Sequence, residues 1–317
     1  MTKLAIVVSV YNEESVLFNF WNSLKTSIEK INGYSIHVIF VNDGSKDKSQ
    51  EVIEKIISEN KSGVYLTSIK FSRNFGHEAA MTAGIDFSNE DALICMDADL
   101  QHPPEKILEM LDEFQKGNEI VLMSRIKRHD NGIVKNILSS MFYKTFEQLS
   151  VHKFERNASD FFLISRKVAD ILKVNFRERN RFLRGFIQII GFNISTLYFE
   201  APARNAGKTS YSIRGLLKLS FTAIFAFSNK PLKISLIFSL LFLFFATAVV
   251  IYSIIIYFFG EKPPSGYTTL IIFQSIGFTV LSFMISVLSM YFGRSLEEIR
   301  DRPIYLIELV INSSQTN

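Results

Sequence analysis

The chain has 317 residues, of which 48% are hydrophobic, with 30 Phe and one Trp. A formal net charge of +4 does not indicate a nucleic-acid-binding surface, and the single cysteine, Cys95, excludes an internal disulfide bond. The hydrophobic excess lies after residue 212, which favours a soluble N-terminal domain followed by a membrane-attached C-terminal region.

Strands and helices alternate through the N-terminal part of the chain. Apolar, β-branched runs predict five strands, at residues 4–10, 36–41, 64–71, 92–97 and 119–124. The segments between them are typical of helices, which we place up to about residue 30 and at residues 48–60, 78–87 and 103–116. This alternation predicts an α/β fold with a mostly parallel, doubly wound sheet. The first strand is not followed by G-x-G-x-x-G, and there is no G-x-x-x-x-G-K, so neither a dinucleotide-binding fingerprint nor a P-loop is indicated.

The fourth predicted strand ends in two carboxylates one residue apart, Asp97 and Asp99, followed by Gln101. Ligand sites in open α/β sheets form outside the carboxyl ends of the strands. Carboxylate and amide oxygens there suit a hard divalent cation that also holds substrate phosphates. The alternative is a strand that ends in a solvated acidic turn. Cys95 lies inside the apolar run and is expected to be a core residue.

Other polar side chains follow the other strands at the same predicted edge of the sheet. They are Asn12, Glu13, Asp43, Arg73, Asn74 and Arg125. This common placement favours a ligand site over an isolated acidic turn. His77 and His102 have no second ligand at metal-binding spacing, so a structural or polar role is expected for both.

Four motifs occur in order: V-S-V-Y-N-E-E at 8–14, V-N-D-G-S-K-D at 41–47, R-N-F-G-H at 73–77 and M-D-A-D-L-Q-H-P-P at 96–104. Further matching segments are 124–125, 157–163, 178–182 and 204–211. Together they resemble the glycosyltransferase family 2 enzymes that make polyprenyl-phosphate sugars, such as dolichyl-phosphate mannose synthases and bactoprenol glucosyltransferases. The resemblance covers the whole predicted soluble half.

The resemblance implies a GT-A fold and a membrane-bound inverting enzyme. Such an enzyme moves a sugar, with glucose favoured, from a nucleotide donor, expected to be UDP-linked, to undecaprenyl or another polyprenyl phosphate. It also implies Mg²⁺ or Mn²⁺ as cofactor and a place in the bacterial inner membrane. Glucose, N-acetylglucosamine, galactose and mannose all remain open as the donor sugar.

The resemblance also implies roles for individual residues. Tyr11, Glu13 and Asp43 fall at nucleoside-contacting positions, Asp97 near the ribose or the metal, and Asp99 with Gln101 at the metal. The implied donor site is completed by Val10, Arg73, Asn74, Ala98, Arg204 and Lys208. The acceptor phosphate is matched to Arg125, Lys135 and Ser139, and the catalytic set is Asp160, Asp99 and Arg125.

Asp160 matches an aspartate proposed as a base in the family. Because a phosphomonoester has a second pKa near 6 and is already largely ionised at neutral pH, we expect Asp160 to position the acceptor or to take a residual proton. Asp160→Asn should then lose less activity as the pH rises. Ser159 and Phe162 depart from the Gly and Arg that are usual beside this aspartate, which affects sugar recognition and the orientation of Asp160.

The C-terminal region contains two uncharged runs, at residues 234–259 and 267–292, each longer than the roughly 20 residues that cross a bilayer. An amphipathic segment precedes them and is predicted to lie in the membrane interface. The predicted parts are a catalytic domain at 1–210, an interface helix at 211–230, a transmembrane hairpin at 231–293 and a cytoplasmic tail at 294–317.

The distribution of basic residues predicts the orientation of the hairpin. Lys218, Lys230 and Lys233 precede the first span, Arg294, Arg300 and Arg302 follow the second, and the connecting turn contains only Lys262. The positive-inside rule then places the catalytic domain and both termini in the cytoplasm. Small residues in the second span could pack against a neighbouring chain or against the first span. A homo-oligomer is expected, with its size open.

Two other functions are disfavoured by the residues present. A processive polysaccharide synthase of this family carries Q-x-x-R-W, which is impossible here because the one tryptophan is Trp21. A membrane-anchored sensor or scaffold that binds a sugar nucleotide would tolerate loss of the metal ligands, yet Asp97, Asp99, Gln101 and Asp160 are all present.

Overall fold

The computed structural model describes residues 1–60, 63–126, 155, 157–179, 181–200, 230–259 and 266–313. These residues form two compact units. The first contains the described residues up to 200 together with residues 303–313, and the second contains two long helices. Most of the predicted interface helix at 211–230 lies outside the described residues.

An eight-stranded sheet forms the centre of the first unit. Its strands are β1 Thr2–Val10, β2 Tyr34–Asn42, β3 Tyr65–Phe71, β4 Ala92–Asp97, β5 Ile120–Arg125, β6 Ala158–Ser165, β7 Ile194–Phe199 and β8 Ile307–Asn312. The helices are α1 Leu17–Ile28, α2 Ser49–Ser58, α3 His77–Phe87, α4 Ile107–Gln115, α5 Arg166–Asn175 and α6 Leu183–Ile189, with a short 3-10 turn at Pro104–Lys106. The five predicted strands are all present, and the prediction of an α/β fold is confirmed.

The strand order is β7-β5-β6-β4-β1-β2-β3-β8. Strands β1 to β4 run parallel to their neighbours within that set, and β5 runs parallel to β7. Strand β6 is antiparallel to both β4 and β5, so its first residues lie where those strands end. The carboxyl ends of β1, β2, β4 and β5 and the start of β6 therefore share one edge, which we call the carboxyl edge.

Helices cover both faces of the sheet, and β1 is accordingly apolar on both sides. Leu4, Ile6 and Val8 belong to the buried cluster that also contains apolar side chains of α1, α2 and α4. Val7 points to the opposite face, against α3. A Cβ on Gly84 would come within 2.1 Å of Val7 Cγ1, so α3 can pack this closely only with glycine at that position. Cys95 is fully buried, as predicted.

The chain after the second long helix returns to the sheet, which corrects part of the predicted 294–317 tail. Strand β8 pairs antiparallel with β3, with Val310 opposite Ile69. Tyr305 stacks on Phe71 at a centroid distance of 5.2 Å, and its hydroxyl donates to Asp86 Oδ2 at 2.7 Å. An edge of β3 that would otherwise be open is thereby paired.

The second unit contains α7, Lys230–Phe259, and α8, Tyr267–Ile299, which pack against each other. Phe242 stacks on Phe273 at 5.7 Å. Among the described residues, one helical segment, Ile272–Ile299, is long and apolar enough to cross a membrane. Only 6% of the most apolar part of this segment is buried. The apolar segment found in α7, Ile237–Val249, is shorter. The two-span arrangement therefore stays a prediction.

Candidate active site

The loops that follow β1 and β2 are joined by reciprocal hydrogen bonds. Asn12 has a positive φ of 56°, its N–H donates to Ser45 Oγ at 3.0 Å, and its Oδ1 accepts from the N–H of Lys46 at 2.9 Å. The N–H of Glu13 donates to Ser49 Oγ at 2.8 Å. Tyr11 is 43% exposed beside these bonds. The arrangement places the partly exposed aromatic side chain of Tyr11 on the carboxyl edge.

Asp43 is buried and serves as an anchor for the loop after β3. Its carboxylate accepts from Asn74 Nδ2 at 2.9 Å and from the N–H groups of Phe75 and Gly76 at 2.7 and 2.9 Å. Burial raises the pKa of Asp43, and the two backbone donors oppose that rise. At Gly44, where φ is +63°, a Cβ would lie 2.3 Å from the carbonyl carbon of Arg73, so this turn needs glycine. Asp43 thus positions the loop that leads to α3.

His77, the first residue of α3, lies between carboxylates from two strands. Its Nδ1 is 3.1 Å from Ser9 Oγ and 3.4 Å from Asp97 Oδ1, and its Nε2 is 3.4 Å from Asp160 Oδ2. The Ser9 hydroxyl donates to Asp97 Oδ1 at 2.7 Å. Arg184 on α6 approaches the other oxygen of Asp160, with Nε 2.9 Å from Oδ1.

These contacts set the charges of the cluster. Burial alone would lower the pKa of His77, but the carboxylates of Asp97 and Asp160 outweigh it and raise the pKa to about 10. Burial would raise the pKa of Asp160, but His77 and Arg184 hold it at about 2. Asp160 is therefore an ionised, ion-paired carboxylate at neutral pH. A carboxylate with so low a pKa is a weak proton acceptor.

Arg125, the last residue of β5, lies beside the turn after β4. That turn carries the D-x-D motif, which is formed by Asp97 and Asp99. Arg125 Nη1 donates to Gln101 Oε1 at 3.2 Å, and Nη2 lies 3.3 Å from His102 Nε2. His102 is fully buried, its Nδ1 accepts from the N–H of Asp97 at 2.9 Å, and burial lowers its pKa. No carboxylate among the described residues lies within ion-pair distance of Arg125. The guanidinium is thus held at the carboxyl edge with its charge available to an anion.

The D-x-D turn fits a divalent ion that is shared with a substrate. Asp99 Oδ1 accepts from the N–H of Gln101 at 3.0 Å, which closes the turn. Within the described residues no three His, Cys, Asp or Glu side chains are grouped to hold a metal by themselves. Mg²⁺ is commonly bound through one or two carboxylates plus substrate phosphates, so a pair of aspartates and an amide oxygen are a suitable donor set.

The two departures from the family pattern beside Asp160 have structural explanations. The Ser159 hydroxyl donates to the carbonyl of Met123 at 2.8 Å, next to the irregularity where β5 and β6 shift register. Phe162 is fully buried and pairs in register with Cys95. Ser159 therefore stabilises the start of β6, and Phe162 belongs to the core.

The remaining predicted residues divide into two groups. Val10 and Ala98 are buried at the carboxyl edge, and Arg73 lies over the ring of Phe75 at 4.0 Å. Lys135, Ser139, Arg204 and Lys208 lie outside the described residues, so their roles stay predictions.

Sequence reasoning missed the extent of the polar cluster around Asp160. It gave His77 a structural or polar role and did not single out Ser9 or Arg184. One signal was present for Ser9, a lone hydroxyl near the end of an otherwise apolar strand. Arg184 could not be found in this way, because its contact with Asp160 depends on how α6 packs.

Comparison with known proteins extends over nearly the whole chain. The profile of Glycosyl transferase family 2 matches residues 5–172. An uncharacterized glycosyltransferase, YkcC, of Bacillus subtilis is 35% identical over 306 residues, covering 96% of this chain and 93% of the relative. The SfII prophage-derived bactoprenol glucosyl transferase of Shigella flexneri is 32% identical over 96% of this chain and 97% of its own.

A third relative agrees with these two. The prophage bactoprenol glucosyl transferase homolog of Escherichia coli is 32% identical over 312 residues, covering 97% of this chain and 99% of the relative. Both the family match and the near-complete coverage agree with the motifs at the strand ends. This chain belongs to glycosyltransferase family 2, and its first unit is an α/β domain of the GT-A type.

Proposed function

We propose that this protein transfers a glucosyl group from a nucleotide sugar, UDP-linked, to undecaprenyl phosphate or a similar polyprenyl phosphate. The observation that carries the proposal is the carboxyl edge, where Asp97, Asp160, His77 and Arg125 converge from four different elements. Near-full-length relatives named as bactoprenol glucosyl transferases support both the sugar and the class of acceptor.

The donor occupies the side of the site formed by the loops after β1, β2 and β3. Tyr11 and Glu13 contact the nucleoside, with Val10, Ala98, Arg73 and Asn74 completing the surface. Asp43 acts through the loop that it anchors. Arg204 and Lys208 are proposed to approach the diphosphate.

A divalent ion, Mg²⁺ or Mn²⁺, would be held by Asp99 and Gln101 with help from Asp97. When bound, it would stabilise the negative charge of the departing nucleoside diphosphate. Gln101 Oε1 already accepts from Arg125 and has a second lone pair for a metal. Arg125 would supply a further positive charge beside the same phosphates.

The reaction we propose is a single displacement at the anomeric carbon. An oxygen of the acceptor phosphate forms the new bond to that carbon, the bond to the β-phosphate oxygen breaks, and the nucleoside diphosphate leaves with the electron pair. The configuration is inverted. Because the acceptor phosphate is largely ionised at neutral pH, no strong base is needed, and Asp160 instead holds His77 and Arg184 in place.

The acceptor phosphate must enter the site without being repelled by the carboxylates there. Arg125 is proposed to attract it together with Lys135 and Ser139. The pairing of Asp160 with two cations removes its net negative charge from this side of the site. Phosphate recognition by positively charged side chains is strongest where the charges are partly removed from water.

We also propose that α7 and α8 both cross the bacterial inner membrane. Because β8 pairs with β3, the chain up to residue 200 and the chain from 303 lie on one side of any membrane. The segment between them must then cross an even number of times. If Ile272–Ile299 is one span, α7 is the natural second, and the basic flanks favour cytoplasmic catalytic residues and termini. Labelling of the 260–266 turn from the cytoplasmic face in sealed vesicles would contradict this topology.

A transfer assay tests the proposed reaction. Purified full-length protein is incubated with undecaprenyl phosphate and radiolabelled UDP-glucose, UDP-N-acetylglucosamine, UDP-galactose or GDP-mannose, with and without EDTA. A lipid-linked product with UDP-glucose that disappears with EDTA and returns with Mg²⁺ or Mn²⁺ is expected. No lipid-linked product with any donor would overturn the proposal. Light scattering of the same preparation would show whether the protein is a homo-oligomer.

A further inference from the structure

Asp97 and Asp160 come close to facing each other across two neighbouring strands. The β4–β6 ladder ends with Cys95 opposite Phe162, and two residues further along each strand are Asp97 and Asp160. Side chains two residues apart in a strand share a face of the sheet. Like charges directly opposite each other across strands are destabilising. Two carboxylates in this arrangement are therefore stabilised by a side chain placed between them.

His77 occupies that position. Its two ring nitrogens face different carboxylates, Asp97 through Nδ1 and Asp160 through Nε2, each at 3.4 Å. The ring is also held by Ser9 and, through the backbone of the preceding loop, by Asp43. The ring therefore bears on how far apart the two carboxylate groups stand, while the β4–β6 pairing holds the strands that carry them.

We propose that His77 is a positioning residue that sets the separation between the donor-side carboxylate Asp97 and the acceptor-side carboxylate Asp160. This inference rests on the proposed function, because it assigns the two sides of the site to the two substrates. In-line displacement requires the acceptor oxygen and the anomeric carbon to approach in a narrow range of distance and angle. His77 contributes by keeping the two carboxylate side chains, which lie on strands already paired to each other, at the separation this geometry needs.

The chain provides a matched control in His37. His37 Nδ1 lies 2.7 Å from Glu90, and Nε2 lies 2.8 Å from Thr67 Oγ1, so this ring is also held on both sides. Glu90 comes just before β4, at the end of the sheet opposite the carboxyl edge. Replacing His37 therefore removes a comparable paired histidine without touching the site.

The test compares His77→Gln and His37→Gln in the full-length protein. For His77→Gln we expect kcat for transfer to the lipid phosphate to fall on the order of 100-fold. The affinity for the nucleotide sugar, measured by binding, should change little. His37→Gln should lower the melting temperature and leave kcat unchanged.

Several outcomes would overturn the inference. If His77→Gln keeps the wild-type kcat, or loses kcat only in proportion to a loss of folded protein, His77 has a structural role. If His77→Gln mainly weakens nucleotide-sugar binding, it belongs to the donor site alone. Wild-type protein that forms no lipid-linked product overturns this inference together with the proposed function. Wild-type product with an unaffected His77→Gln variant overturns this inference alone.

Discussion

The two ends of the same sheet use similar residues in different ways. At the amino edge, where β4 begins, His37 faces Glu90 and Asp91 accepts from the N–H of Lys3 at 2.8 Å. The pKa of Glu90 is about 2, because the bond to His37 outweighs the effect of burial. There each carboxylate is matched by a donor within the protein.

At the carboxyl edge the matching differs. Asp160 pairs with His77 and Arg184, and Asp97 with His77 and the Ser9 hydroxyl. Arg125 has an amide oxygen and an imidazole nitrogen nearby, with no carboxylate of the described residues within ion-pair distance. Paired charges in the interior of a fold contribute to stability, whereas charges held in place without a full complement are typical of sites that bind a charged ligand. The difference between the two edges indicates where substrate binds more clearly than any one residue does.

The largest effect is expected from Asp160→Asn, which removes the anchor of His77 and Arg184 at the carboxyl edge. The proposed transfer should slow by about 100-fold or more. Because the pKa of Asp160 is about 2 in the folded protein, the carboxylate is ionised at both pH 6 and pH 8.5. The ratio of wild-type to variant rates should therefore be the same at both values, whereas the sequence alone led us to expect a smaller loss of activity at the higher pH. A ratio that shrinks as the pH rises would restore the role of a proton acceptor for Asp160.

The next effect should come from Arg125→Met, which tests the cation that has no carboxylate of the described residues within ion-pair distance. Loss of a fixed positive group beside a leaving phosphate typically slows a reaction by about 100-fold. Arg166→Met is a matched control at the amino edge, since Arg166 is half-exposed beside Asp170. That variant should keep its activity. Equal rates for the two variants, measured with saturating donor, would contradict the distinction between the edges.

A smaller effect is expected from Asp99→Asn. With one metal-binding oxygen removed, a higher concentration of Mg²⁺ or Mn²⁺ should be needed for half-maximal transfer, because fewer protein oxygens hold the ion. The maximal rate at saturating metal should fall less than in Arg125→Met. Titration of EDTA-treated protein with each metal measures this. An unchanged metal requirement would remove Asp99 from the proposed metal site.

At the amino edge, Glu90→Gln should reduce stability without changing the transfer rate. Loss of a charge-assisted hydrogen bond typically lowers the free energy of unfolding by about 1.5–3 kcal/mol. Glu90 has a depressed pKa in the folded state, so its contribution is fully present above its unfolded pKa, near the ordinary value of 4.5. It is lost as the pH falls through about 2. Urea unfolding at pH 7 and at pH 3 should show a larger difference between wild type and variant at pH 7.

The smallest effect is expected at the lateral edge of the sheet, with Tyr305→Phe. The variant loses the hydrogen bond to Asp86 but keeps the stacking on Phe71, and Asp86 keeps its two contacts with Arg177. Because Arg177 still satisfies the Asp86 carboxylate after the change, we expect a loss of about 1 kcal/mol in the free energy of unfolding. Thermal unfolding measures the change, and a fall as large as that of Glu90→Gln would show that the C-terminal strand matters more to stability than its pairing suggests.

Local pattern predicted much of the fold correctly. Continuous apolar runs located all five of the early strands, because a strand buried on both faces must be apolar throughout. Strands β6, β7 and β8 were not predicted. Strand β8, Ile307–Asn312, is a short, mostly exposed edge strand that pairs with a partner some 240 positions earlier in the sequence. Nothing in its local sequence identifies that partner.

The residues of the site were likewise predicted where local sequence locates them, and not where contacts between distant segments decide their role. Asp97, Asp99, Gln101 and Arg125 were found because strand ends in a parallel sheet share an edge. The low pKa of Asp160 was not foreseen, because it results from His77 on α3 and Arg184 on α6, which come together only when both helices pack on one face. Asp43 was expected to contact the nucleoside, and its burial as the anchor of residues 74–76 became visible only in three dimensions.

The sequence by itself therefore determined the family, the parallel sheet and the chemical types gathered at its carboxyl edge, because apolar periodicity and strand-end motifs are local properties of a chain. The tertiary structure alone decided how those groups are charged and what each holds in place. Ion pairing and burial depend on distances between elements that are far apart in sequence, and over such distances the packing of helices on the sheet sets the electrostatics.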